Sequence, residues 1–380
     1  MSKTAIEWTE QSWNPIVGCS VVSPGCTHCY AMAMAHRLER MGTAPHYAGL
    51  TQPSKAGPVW TGRMALAPES VLLAPLRRRK PTTYFVNSMG DLFHEDVPDA
   101  WIDRVFAVMA LCPQHTFQVL TKRAGRMRDY LGTRAGDWQI VWPDANPPGS
   151  LPISRHEQRL AMRGAGWPDA IIRPTFPLRN VWLGVSTEDQ KRADERIPDL
   201  LATPAAIRFV SAEPLLGPID FRRMPSPVVT PEDEGYYHSA LDGGDIHYRD
   251  SDPDYDGKVF TDSVDGPMME KLDWIIVGGE SGPNARPMHP DWARSIRDQC
   301  AAAGTAFFFK QWGEWKGCGP GRIQESNCSA VKKWDETAFS CRVGKTRAGR
   351  LLDGVEHKAM PSCSALCRAS TSSAREARHG

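Results

Sequence analysis

The chain has 380 residues, enough for one large α/β domain or two ordinary ones and too many for a small scaffold held together by disulfides. Lys and Arg number 45 against 44 Asp and Glu, and a net charge of +1 argues neither for nor against a nucleic-acid partner; any basic surface would have to be local. No run of 18 apolar residues occurs, and the opening MSKTAIEWTEQSWNP lacks the apolar centre of a signal peptide, so the expectation is a cytoplasmic protein with no membrane partner.

In chain order, the segment around Ile16 to Gly18 reads as a short first strand, and Ala31 to Met41 (AMAMAHRLERM) is an uninterrupted run of good helix formers. Apolar, β-rich runs follow: YFVNSMGDLF from Tyr84, TFQVLTKR from Thr116, VWLGVSTED from Val181, IRFVSAEPLLG from Ile207, DWIIVGGESG from Asp273 and AFFFKQWGEW from Ala306. Each ends in small or polar residues before a stretch with helical potential. That rhythm predicts parallel βα units in a single α/β domain over residues 1–360, forming a partial or complete (β/α) barrel.

Two stretches break the rhythm and read as irregular insertions, a Pro-, Gly- and Trp-rich one at about 132–177 and an acidic one at about 225–272. The segment DSDPDYDG within the second lacks the downstream Glu of an EF-hand loop, so it reads as a solvated loop. Residues 361–380 turn to Ser, Ala and Arg, the composition of a disordered tail.

In a parallel βα architecture catalytic groups collect at the C-terminal ends of the strands. The candidates there are Ser88 and Asp91, Lys122 and Arg123, Ser186 and Glu188, Glu213, Gly278 to Glu280, and Lys310 to Trp312. Any one of them alone is equally a helix cap or loop residue. Gly278 and Gly279 suit either a substrate-facing turn or the tight packing of a buried strand, and with Glu280 and Arg286 they form a substrate candidate in which Arg286 would clamp an anion. Lys310 and Trp312, in KQWGEW, offer a cation beside a stacking surface for a nucleotide or nucleic acid, or else a strand end packed under a loop.

GCSVVSPGCTHCYA places Cys19, Cys26 and Cys29 in a C-x6-C-x2-C pattern, with Gly18, Pro24 and Gly25 letting the backbone fold back. Three thiolates suit a four-iron cluster that keeps one iron free of protein ligands. A structural zinc site would need a fourth ligand, from His28, His36 or a remote cysteine, and unliganded redox thiols are a third reading. Cys318, Cys328 and Cys341 are spaced too widely and irregularly to argue for a second cluster.

The segment TAIEWTEQSWNPIVGCSVVSPGCTHCYA, the runs VNSMGDLFHE, VLTKR, LGVSTEDQ, FVSAEPLLG, IIVGGESGPNARPM and FKQWGEW, and the closing KTRAGRLLDGVEHKAMP together resemble an uncharacterised family of phage and prophage proteins with a three-cysteine motif. That family looks like a divergent branch of the radical S-adenosylmethionine (SAM) superfamily, whose usual spacing is C-x3-C-x2-C with an aromatic residue where this chain has His28. The resemblance implies a barrel of the radical SAM type, a [4Fe-4S] cluster on Cys19, Cys26 and Cys29, SAM as cofactor, and an electron donor such as flavodoxin or ferredoxin. It further implies that Asp91 and Ser88 lie where SAM's amine is met, with Lys122 or Arg123 at its carboxylate, Ser186 and Glu188 at its ribose, and Glu213 after the fifth strand. The product would be a 5′-deoxyadenosyl radical acting on an unnamed substrate, a nucleic acid or nucleotide being one class; the competing expectation is a zinc- or cluster-containing binding module without turnover.

Overall fold

A computed structural model describes residues 4, 6–133, 140–141, 151–152, 176–225, 236–247, 270–318 and 328–361. Its main sheet has seven strands: β1 (Gln11–Trp13), β2 (Thr83–Val86), β3 (Thr116–Thr121), β4 (Val181–Ser186), β5 (Ile207–Ala212), β6 (Trp274–Gly278) and β7 (Ala306–Gln311). The strands stand in sequence order, and the pairs β1–β2, β2–β3, β5–β6 and β6–β7 are parallel. A sheet wound in one direction, without the order reversal of a doubly wound fold, is compatible with a partial β/α barrel with β1 and β7 at its edges. Among the described residues no helix is long and apolar enough to cross a membrane.

Six of the seven expected strands lie where the apolar runs put them, and the first does not. Ile16–Val17 pairs antiparallel with Ala65–Leu66, outside the main sheet, and the edge strand is Gln11–Trp13 in register with Tyr84–Val86. The reason is local. Pro15 has no N–H to give a ladder, so the strand stops before it. Trp13 is fully buried, and its indole N–H donates to the carbonyl of Val71.

The chain divides into two compact units, residues 1–184 with 203–207, and 185–202 with 208–362. In the first, the helices α1 (Tyr30–Met41), α2 (Asp99–Ala110) and α3 (Ala124–Gly132) follow β1, β2 and β3. Trp13, Tyr84, Phe93, Phe106 and Phe117 are among its largest fully buried side chains. In the second, α4 (Gln190–Leu201) and α5 (Pro290–Ala303) accompany the strands. There the core centres on Phe209, Trp274, Ile275, Ile276 and Phe309, all essentially inaccessible.

Within the acidic insertion a hairpin of Tyr236–Ser239 and Gly244–His247 pairs with Met224–Pro225. The DSDPDYDG segment, most of the insertion at 132–177 and the tail beyond 361 lie outside the described residues.

Candidate metal centre

The cysteine loop is brought against the end of β2 by two glycines. Gly18 has φ +102° and donates its N–H to the carbonyl of Met89, and it bridges to Gly90. A Cβ on Gly90 would run into Gly18 O, Ile16 O and the Cα of Val17, so only glycine permits this approach. Tyr30, at the start of α1, adds a hydrogen bond from its hydroxyl to the carbonyl of Ser88. The cysteines are thereby gathered at the C-terminal ends of β1–β3, where a βα architecture places its chemistry.

All three cysteines are free thiols, Cys26 buried and the other two partly exposed. Cys19 and Cys29 pack on one apolar cluster that includes Val17, Ala31, Met32, Ala35 and Met89. Burial pushes the Cys19 thiol up from 9.0 to about 12, helped by Asp91 and opposed by Arg123. Burial also raises Cys29, which sits at the N-cap of α1; the amides of Ala31 and Met32 and the charge of Lys122 pull the other way. Cys19 and Cys29 act on one another electrostatically, as do Cys29 and Cys26. Among the described residues no three His, Cys, Asp or Glu side chains form a group compact enough for one metal ion. A cubane asks for a different arrangement, since each thiolate meets its own iron, and three clustered thiols, joined by no fourth among the described residues, are the donor set that leaves one iron open.

Behind the cysteines lies a buried ionic network. Asp91 is 4 % exposed and accepts from four donors: Phe93 N (3.0 Å) and Thr121 Oγ1 (2.6 Å) on Oδ1, Lys122 N (3.1 Å) and Arg123 Nη1 (3.0 Å) on Oδ2. Arg123 Nη1 also donates to Cys19 Sγ at 3.5 Å. Its Nη2 donates to Ser20 Oγ (2.7 Å) and Ser20 O (3.4 Å), and its Nε to Glu95 (3.3 Å). Burial works against the guanidinium's charge, but Asp91, Cys19 and Glu95 outweigh it and hold Arg123 above its ordinary value. His94 Nδ1 accepts from the amide of Asp96, which leaves Nε2 to donate to Ser20 Oγ at 2.9 Å. Burial, with Arg123 nearby, lowers the His94 pKa.

The structure therefore joins Cys19, Asp91, Lys122 and Arg123 in one place. Ser88 is tied back instead, its hydroxyl donating to Asn14 Oδ1 at 3.1 Å. Ser20, His94 and Glu95 were not singled out from the sequence. Two of them stand within the VNSMGDLFHE run, but nothing in the run says that a buried Arg would reach across to them.

The candidates of the second unit are mostly bound to one another. Glu188 is fully buried and pairs with Arg196 at 3.1 Å; the same Nη1 donates to the carbonyl of Ser186 at 2.6 Å. Glu213 meets Lys310 Nζ through both oxygens, at 2.7 and 2.9 Å. Glu280 is gripped by Arg286, which donates from its amide, Nε and Nη2 at 2.7, 2.9 and 2.6 Å. The anion that Arg286 clamps is thus a residue of the chain itself. A Cβ on Gly279 would collide with the carbonyl of Trp312, so that glycine serves close packing.

Trp312 is 3 % exposed, stacks edge-on against Phe309 and donates its indole N–H to Leu351 O. It does not form the stacking surface that KQWGEW suggested. Cys328 and Cys341 are joined in a disulfide, which removes them from any second three-cysteine site with Cys318.

Residues 3–361 match the family described as Protein of unknown function (DUF5131). No curated protein and no solved structure matches the chain. The expected membership of an uncharacterised family spanning nearly the whole chain is met; the match carries no link to phage or to radical SAM enzymes.

Proposed function

We propose that this chain, which belongs to the family of proteins of unknown function DUF5131, is an iron–sulfur enzyme of the radical SAM kind. The observation that carries the proposal is the set of three free thiols, Cys19, Cys26 and Cys29, at the strand ends of a sequentially wound parallel sheet, with a buried Arg donating to one of them. In this reading the three cysteines ligate a [4Fe-4S] cluster. When bound, such a cluster passes one electron from a flavodoxin- or ferredoxin-like donor to the sulfonium of SAM, which yields methionine and a 5′-deoxyadenosyl radical that takes a hydrogen atom from substrate.

The chain's own residues set the conditions for that chemistry. Burial holds the Cys29 thiol above its ordinary value, and the pull of two amides at the N-terminus of α1 and of Lys122 offsets part of that rise. Cys26 is buried, and the apolar cluster under Cys19 and Cys29 keeps water from the floor of the site. Lys122, acting on Cys29, is the residue of the first unit that best suits SAM's carboxylate. Asp91, with both oxygens already accepting, supports the strand ends and Arg123 rather than SAM's amine.

Anaerobic reconstitution with iron and sulfide tests this directly. The loaded protein should be brown, carry about four irons per chain, and with dithionite and SAM release 5′-deoxyadenosine; Cys26→Ala should lose both iron and product. A colourless protein holding stoichiometric zinc would point to the binding module instead and end the proposal.

A further inference from the structure

We propose that Arg123 sets the reduction potential of the cluster through Cys19, with Asp91 as its opposing charge; the inference rests on the cluster reading above. A guanidinium has five N–H donors and no acceptor. In this structure all five have acceptors: Glu95 on Nε, Asp91 and Cys19 on Nη1, and the hydroxyl and carbonyl of Ser20 on Nη2. An Arg at a strand end next to a cofactor site is ordinarily a candidate to bind an incoming carboxylate. This one has no donor left to offer, and its side chain is 5 % exposed. Its one contact with a site ligand is the sulfur of Cys19.

The position of that charge is fixed from several sides. Asp91, on the loop after β2, holds Nη1 and is itself held by Thr121 and by the amides of Phe93 and Lys122. Ser20, next to Cys19, is braced by His94. A sulfur-directed hydrogen bond and a fixed positive charge both stabilise the more negative state of a cluster, and they act strongly where water is excluded. Reduction adds one electron, supplied by dithionite or a low-potential protein carrier, and takes the core from 2+ to 1+ with no bond made and no proton moved. Arg123 therefore raises the potential. Asp91, one atom further from the sulfur along the same network, lowers it while keeping the guanidinium in place.

The experiment is a spectroelectrochemical titration of anaerobically reconstituted protein, read by the EPR signal of the reduced cluster, after iron per chain has been measured. Arg123→Gln should make reduction at least tenfold less favourable, a downward shift of about 59 mV for one electron. Asp91→Asn should shift the potential upward, and Arg123→Lys, which keeps the charge without the fork, should fall between wild type and Arg123→Gln. Opposite signs at Arg123 and Asp91 are what a charge effect gives and a loss of packing does not. If Arg123→Gln does not retain iron, Arg123→Lys and Asp91→Asn decide the matter. Loaded variants with the wild-type potential would overturn the role of Arg123 and leave the cluster standing; a wild-type protein that takes up no iron would overturn both.

Discussion

Removing the carboxylate of Asp91 should destabilise the fold strongly. Asp91 and Arg123 are almost completely buried, 6 % and 5 % exposed in their side chains, at 3.0 Å. Breaking a buried pair by deleting one partner costs about 3–5 kcal/mol, because the remaining charge is left uncompensated. Glu95 offers Arg123 a substitute at 3.3 Å, but it is 61 % exposed and largely screened. Asp91→Ala also strips the acceptor from Thr121 and from two amides, so its loss should be about 4 kcal/mol. Asp91→Asn, which keeps one carbonyl acceptor, should lose about 2 kcal/mol. The assay is urea unfolding of the iron-free protein by circular dichroism and tryptophan fluorescence, which should agree if one transition is being followed. Glu213→Ala is the control: its pair with Lys310 is partly exposed on both sides and should cost about 1 kcal/mol. An Asp91→Ala protein within about 0.5 kcal/mol of wild type, or a Glu213→Ala protein that loses as much, would refute the assignment of Asp91 as the buried support of the site.

Three further outcomes follow from the geometry. Gly279→Ala, whose Cβ would strike the carbonyl of Trp312, should be destabilised by about 3 kcal/mol or be recovered only as insoluble protein, whereas Gly282→Ala, with nothing near its Cβ but φ +111°, should cost about 1 kcal/mol; thermal melts distinguish them. Asp353 is held below its ordinary 3.8 by Arg294 and Arg297. Its depressed value means that its contribution is present above the unfolded carboxylate pKa and is lost as pH falls through the folded one; Asp353→Asn should therefore melt slightly below wild type at pH 7, with the gap narrowing as pH falls below the unfolded carboxylate value and closing below the folded one. Because the Cys19 thiol stands near 12 without metal and ligation requires the thiolate, iron uptake should strengthen as pH rises from 7 to 9, and a colorimetric iron titration at the two pH values would show it.

The parts of this fold that were legible in the sequence are those governed by local pattern. The apolar runs at Thr83–Val86 through Ala306–Gln311 and the Ala-rich helix at Tyr30–Met41 are where periodicity and propensity put them. The edge strand escapes the local pattern because Gln11–Trp13 has a single apolar residue, and its pairing is decided by where Trp13 is buried, a tertiary matter. The same limit governs the site. Spacing singled out Cys19, Cys26 and Cys29, and strand order pointed to Asp91, Lys122 and Arg123. Their use did not follow from type: Asp91 and Arg123 neutralise one another, and Glu280 consumes Arg286. Gly278-Gly279-Glu280 has the look of a functional motif, yet its second glycine answers to the carbonyl of Trp312. Trp312 has the look of a stacking platform, yet it is buried against Phe309. Whether a charged or aromatic residue at a strand end faces a ligand or a neighbour depends on contacts that arrive from distant parts of the chain.

The most direct test of the central claim is the EPR spectrum of the dithionite-reduced, reconstituted protein recorded with and without SAM. A three-cysteine cluster with an open iron should give a reduced-cluster signal whose shape changes when SAM occupies that iron. A protein with no such signal, or a cluster signal that SAM leaves untouched, would contradict it.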